Sequence, residues 1–169
     1  MRLFIAVRLS DETVLALTDL QKELRRLGYT GNYTKRENLH LTLAFIGEVR
    51  DPEPVKKIMD GMRFEPFLLT LQKTGTFPGI VWAGMEVGAL SSFAAKLRRA
   101  LNDAGIPCDN KRFTPHVTLL RRPQGEALPL PDPRPVAMTA KKISLMLSER
   151  TVNGMRYTEI HSVDGIDTP

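Results

Sequence analysis

The chain is poor in the residues that build covalent or metal staples: 169 residues include one cysteine, three histidines and one tryptophan. A lone cysteine, Cys108, excludes an internal disulfide and leaves any structural zinc site to be made mainly from other ligands, which fits a reducing cytoplasm. Long apolar runs are also missing. The run that opens the chain, Leu3 to Val7, is broken by Arg8, too short for a signal-peptide core or a membrane span, and no later segment approaches spanning length. The expectation is a cytoplasmic protein with no membrane partner. What remains is an ordinary globular composition, 42% hydrophobic and 25% charged, long enough for one compact domain or two small lobes sharing a core. Lys and Arg outnumber Asp and Glu by 24 to 19, a formal charge of +5. That excess favours anionic partners such as nucleic acid, although a solvated basic surface explains it equally well.

Periodicity supplies the elements. Leu3, Ile5, Val7 and Leu9 alternate as in a strand; Ser10 then offers an N-cap to a helix carrying Val14, Leu17, Leu20, Leu24 and Leu27 and stopped by Gly28. A strand is expected over Leu39 to Ile46, a short helix after Asp51-Pro52, strands near Phe67 to Lys73 and Ile80 to Val87, and a helix from Ser91 or Ser92 to Gly105. A strand follows at His116 to Leu120. The five prolines between Arg122 and Pro135 argue against regular structure there. Two closing strands, Lys142 to Ser148 and Arg156 to Val163, read as a hairpin turning at Asn153-Gly154.

Two stretches nearly repeat. Lys35-Arg36-Glu37-Asn38-Leu39-His40-Leu41-Thr42-Leu43 and Lys111-Arg112-Phe113-Thr114-Pro115-His116-Val117-Thr118-Leu119 share a Lys-Arg pair and an H-x-T, with His40 and His116 76 residues apart. The same step carries the Leu3 strand to the Val81 strand, the first helix roughly to the helix after Ser91, Leu69 to Leu145, and the Val81 strand to Tyr157. Residues 1–169 therefore read as one α+β domain of two interleaved lobes, each with one H-x-T strand.

Alternation puts His40 and Thr42 on one strand face, and His116 and Thr118 on another. A pseudo-two-fold axis between the lobes turns both polar faces to one cleft. Two imidazoles and two hydroxyls suit a tetrahedral phosphoryl group: one imidazole takes a proton from water, the other gives one to the leaving oxygen, and the hydroxyls hold the non-bridging oxygens. This chemistry needs neither metal nor cofactor. A zinc site is the rival reading, but threonine, a poor zinc ligand, stands where a second histidine would be. His161 has no threonine two residues on and reads as a histidine satisfied by its surroundings.

At these residues the chain resembles the 2H phosphoesterase superfamily, named for two H-x-T-type motifs, and in particular its RNA 2′,3′-cyclic phosphodiesterase, or 2′-5′ RNA ligase-like, branch. The strings that carry the likeness are Arg2-Leu-Phe-Ile-Ala-Val, Asn38-Leu-His-Leu-Thr-Leu-Ala-Phe-Ile-Gly, Phe113-Thr-Pro-His-Val-Thr-Leu-Leu-Arg and the Leu147-Ser-Glu-Arg…Tyr157 hairpin. The resemblance implies a bilobal fold of two antiparallel sheets flanking a central cleft, with helices outside. It implies hydrolysis of 2′,3′-cyclic phosphate at RNA ends or on nucleotides, by a monomer without metal. His40 and His116 would be the catalytic pair, with base and acid unassigned, and Thr42 and Thr118 would bind phosphate. Arg121, three residues after Thr118, would lie near substrate. Phe45, three residues after Thr42, is a candidate to stack on a base, but strict alternation puts it opposite His40, in the core, unless the strand bulges. Lys35, Arg36, Lys111 and Arg112 are candidates for a basic rim or for plain solvated charge. Three alternatives stay open: 2′-5′ RNA joining at the same site, a cyclic nucleotide or ADP-ribose phosphate as substrate, and an RNA-binding module without turnover.

Overall fold

Ser10 does cap the first helix: its Oγ accepts from the amide of Thr13 at 3.2 Å. Asp11 and Glu12 occupy the first turn and Arg25 and Arg26 the last, each favourable to the helix dipole. Gly28, at φ 97, ends the helix by letting the Tyr29 amide reach back to the Leu24 carbonyl. In the computed structural model, which describes residues 1–109, 111–125 and 129–166, the elements run β1 (Arg2–Arg8), α1 (Asp11–Arg26), β2 (Thr30–Tyr33), β3 (His40–Glu48), α2 (Glu53–Asp60), β4 (Phe67–Phe77), β5 (Ile80–Glu86), α3 (Leu90–Asp103), β6 (His116–Gln124), β7 (Ala137–Ala140), β8 (Lys142–Thr151) and β9 (Gly154–Asp164).

Two antiparallel sheets form, in the orders β3-β1-β8-β9 and β2-β6-β5-β4-β7. The architecture is the α+β, two-sheet arrangement expected. Each sheet takes strands from both halves of the chain, and the helices cross over: α1 leaves the first sheet to pack on β6, while α3 leaves the second to pack on β3. Leu17, Leu24, Leu97 and Leu101 are fully buried on the helix faces that do this. Each such side chain contributes roughly 1.5–3 kcal/mol of burial. No helix among the described residues is long and apolar enough to cross a membrane.

Several expectations are corrected. The Val81 strand does not map onto Tyr157: β5 lies between β6 and β4 as β1 lies between β3 and β8, whereas β9 is an edge strand whose counterpart is β7. Helix α3 starts at Leu90, one or two residues before the expected Ser91 or Ser92, and the Ser92 hydroxyl donates to the Ala89 carbonyl within its first turn. The last hairpin turns at Val152-Asn153, with Gly154 already paired to Thr151. Strand β6 runs through Arg122, Pro123 and Gln124, beyond the end of β5, so Pro123 falls where the strand has only β2 beside it and the missing amide is tolerated. Beyond Gln124 the described part of the proline-rich segment is irregular, as expected; Glu126, Ala127 and Leu128 lie outside the described residues. Strands β2 and β7, four residues each, were not expected.

Candidate active site

Both H-x-T strands carry a bulge immediately after the threonine. Along β1 and β3, Arg8 faces His40, Ala6 faces Thr42, and the next pair is Ile5 with Ala44, so Leu43 is the extra residue. Along β5 and β6, Gly84 faces His116, Trp82 faces Thr118, and the next pair is Val81 with Leu120, so Leu119 is extra. One inserted residue reverses which face the strand presents beyond it. Leu43 with Ala44, and Leu119 with Leu120, are therefore consecutively buried. Phe45 ends up opposite Phe4, on the same face as His40 and Thr42, and Arg121 ends up opposite Ile80, on the face of His116 and Thr118. The core position that strict alternation gives Phe45 is thus corrected: its side chain is 38% exposed, with the Arg2 guanidinium 5.1 Å from its ring centre.

Each bulged carbonyl accepts a hydrogen bond from the helix of the other half, that of Leu119 in addition to the one from the Thr34 amide at 3.0 Å. Gln21 on α1 donates from Nε2 to the Leu119 carbonyl at 3.0 Å and to the Thr34 carbonyl at 2.9 Å. Arg98 on α3 donates from Nε to the Leu43 carbonyl at 2.9 Å and from Nη1 to the Lys111 carbonyl at 2.7 Å. Each side chain thus ties its bulge to the backbone just ahead of an H-x-T strand. The sequence reading missed both; a signal was present in Gln21, a polar residue among the apolar positions of α1.

The histidines are oriented alike. His40 Nδ1 lies 2.7 Å from the Asn38 carbonyl and His116 Nδ1 lies 2.6 Å from the Thr114 carbonyl. A carbonyl only accepts, so Nδ1 carries a proton in both rings and each Nε2 is left to take or give one. At His40 that Nε2 receives the Thr42 hydroxyl at 2.9 Å. Thr118 has no hydrogen bond from its hydroxyl among the described residues. Aromatic rings cover both imidazoles: Phe4 and Tyr157 lie with centres 4.8 and 5.3 Å from that of His40, and Phe77 and Trp82 at 5.1 and 6.1 Å from that of His116. Asn38, also missed in the sequence, is held by its own side chain, whose Nδ2 donates to the Met155 carbonyl at 2.9 Å.

Burial pushes the pKa of His40 below the usual imidazole value; the Asn38 carbonyl opposes this, and the charges of Arg121 and His116 add to the lowering. Those last two causes place Arg121 and His116 within electrostatic reach of His40. A cavity of about 960 Å³ is lined by Arg121, Asn38 and Tyr157, the last two of which also line the small recess at His40. Of the four candidate rim residues, Lys35 lines that cavity and donates to the Asn153 carbonyl; Arg36 is exposed in a single 3₁₀ turn. Lys111 lines a groove with Phe45, and Arg112 is exposed. His161 is satisfied from outside the cleft, by Asp60 Oδ1 at 2.7 Å. Among the described residues no group of three or more His, Cys, Asp or Glu is close enough to hold a metal ion.

A family model described as 2′-5′ RNA ligase superfamily matches residues 11–150. The chain belongs to the 2′-5′ RNA ligase superfamily. Among relatives within it, a Thermus thermophilus protein named RNA 2′,3′-cyclic phosphodiesterase is 33% identical over 94% of this chain and 87% of its own length. One of the same name from Thermotoga maritima is 30% identical over 72% of this chain and 70% of its own. The superfamily fold is matched by Escherichia coli LigT, solved in complex with 3′-AMP, at 28% identity, TM-score 0.84 and 98% coverage of both chains.

Proposed function

We propose that this protein hydrolyses 2′,3′-cyclic phosphate ends of RNA to 2′-phosphomonoesters, by acid–base catalysis between two histidines and without a metal ion. The observation that carries the reading is the matched pair of Nδ1 contacts at His40 and His116, which commits both Nε2 atoms to proton transfer. The relatives' names favour the same substrate.

The different surroundings of the two histidines support an assignment of base and acid. Burial favours the neutral form of His40, so we assign the base to His40, which leaves the acid to His116. His40 then takes a proton from water at Nε2 as the oxygen attacks phosphorus. The bond from phosphorus to O3′ breaks, and His116 delivers the proton that O3′ needs. Thr42 and Thr118 donate to the non-bridging oxygens, and Arg121 offsets the charge that builds there. Phe45 offers its exposed ring to the terminal base. The protein acts as a monomer in the cytoplasm.

The test is product analysis on RNA bearing a 2′,3′-cyclic end, with chelator present. Conversion to the 2′-phosphate, abolished by His40→Ala and by His116→Ala, is expected. A 3′-phosphate product, or turnover that survives either substitution, overturns the mechanism.

A further inference from the structure

The two sheets match strand for strand except for β2, which has no counterpart in the first sheet. That unmatched strand builds one wall of the 960 Å³ cavity through Thr30, Gly31, Asn32 and Tyr33. The volume lies near the top of the roughly 300–1,000 Å³ range of small-ligand sites. Its charge is one-sided: Arg25, Lys35, Arg121, Arg122 and Arg150 line it, and no carboxylate does. Among the described residues none of these five forms a salt bridge; Arg25 lies over the Tyr33 ring at 4.1 Å. Five uncompensated cations around one hollow repel one another unless an anion occupies it.

The backbone here is also shaped at a cost. Arg122 has φ 52, the left-handed region that a glycine would occupy freely, yet a guanidinium is kept there. Beside it Gly31, at φ 143, lets β2 close onto β6: a Cβ on Gly31 would sit 2.7 Å from the Arg122 carbonyl oxygen. The cavity meets the catalytic face at Arg121, Asn38 and Tyr157.

We propose that this cavity is the binding tract for the RNA strand leading away from the cyclic end, gripping the phosphates of the nucleotides on its 5′ side. An RNA ending in a 2′,3′-cyclic phosphate has only one strand leaving the scissile group, and the histidines and threonines already occupy the cyclic phosphate. The inference rests on the proposed activity for its substrate but concerns length selectivity, which a mononucleotide-specific enzyme would lack.

The experiment compares a nucleoside 2′,3′-cyclic monophosphate with cyclic-ended oligonucleotides of two to six residues, using wild type and the variants Arg122→Ala and Arg150→Ala. Both arginines are exposed, so neither change threatens the fold. In the wild type, KM is expected to fall about tenfold from mononucleotide to trinucleotide, and log KM to climb with log salt by roughly 0.7 per phosphate contact. Each variant is expected to raise the oligonucleotide KM several-fold, flatten its salt slope by about one contact, and leave mononucleotide kinetics unchanged. Equal KM for all lengths, or variants that impair mononucleotide and oligonucleotide alike, overturns the tract. So does a gain seen only with a pyrophosphate-linked dinucleotide carrying a cyclic phosphate, which would make the hollow a dinucleotide site. If no cyclic phosphate is turned over, the proposed function fails on its own; fluorescence anisotropy with a 5′-labelled RNA hexamer ending in a 2′-phosphate still decides the tract, weaker binding by both variants supporting it and unchanged binding overturning it.

Discussion

Gln21 Nε2 donates to the carbonyl of Leu119 at 3.0 Å, across 98 residues of sequence, from the helix of one half to the bulged strand of the other. Arg98 does the same for Leu43. The residues that make a bulge useful, by turning Arg121 and Phe45 to the cleft, are thus fixed by side chains that never face the cleft.

Replacing Gln21 with leucine keeps its volume and removes both donors. The Thr34 carbonyl loses this donor while the Leu119 carbonyl keeps its bond from the Thr34 amide, at a cost of about 1–3 kcal/mol. A melting temperature several degrees lower is expected, since 1 kcal/mol is worth roughly 2–4 °C at this size. Thermal unfolding followed by circular dichroism reads that loss. Steady-state kinetics at a permissive temperature reads the second effect, a lower kcat as Thr118 and Arg121 lose their setting. Unchanged kcat in a fully folded variant would reduce Gln21 to a structural residue.

The bulge on β3 predicts opposite outcomes for two nearby positions of that strand. Leu43→Ala empties a fully buried site and is expected to destabilise by about 2–5 kcal/mol. Phe45→Ala, two residues on, removes a larger side chain from an exposed position and is expected to cost less than about 1 kcal/mol. Its effect falls on KM for cyclic-ended RNA instead. Urea titration of both variants is the check; a large loss at Phe45 would put that ring back in the core.

These contrasts mark where the sequence was readable. The two H-x-T pairs stand out because alternation and a 76-residue repeat place the same polar types in register, and α1 stands out because its cap, its apolar face and Gly28 all agree. The bulges are invisible in the strings Thr42-Leu43-Ala44 and Thr118-Leu119-Leu120: consecutive apolar residues satisfy a buried strand with or without an insertion. Gln21, Arg98 and Asn38 act through backbone carbonyls, which have no letter in a sequence. Strand β2, Thr-Gly-Asn-Tyr, is polar and exposed, so nothing in its pattern distinguishes an edge strand from a loop.

The depressed pKa of His40 gives two pH effects of known sign. The unfolded chain takes up a proton near pH ~6.5 while His40 in the fold stays neutral, so stability falls as pH drops through that value and stops falling once the folded pKa is passed. His40→Gln is expected to flatten this part of the stability curve between about pH 7.5 and 5.5, measurable by denaturant midpoints. In kcat/KM the same group, acting as base, sets the acid limb of the pH profile. That limb is expected to lie below the ordinary imidazole value; a limb above it would overturn His40 as the base.

The last relationship is steric. Trp82 faces Thr118 across the strands, and its ring lies close over Gly75 and Gly84. A Cβ built on Gly75 would stand 2.3 Å from the ring, so Gly75→Ala must move it, and His116 packs beside it, with ring centres 6.1 Å apart. Among the described residues the buried indole nitrogen has no hydrogen-bond partner, so packing holds the ring. Displacing it is expected to loosen His116 and lower kcat at least about tenfold, the cost of a small misplacement at a proton-transfer group. Trp82 is the only tryptophan in the chain, so its emission reports the movement without interference. A red shift together with lost kcat is the expected result, and Gly84→Ala, whose Cβ would meet the same ring at 3.2 Å, should give a smaller version of both. A red shift with full activity would show that His116 keeps its place without Trp82, through the Thr114 carbonyl and the Phe77 ring.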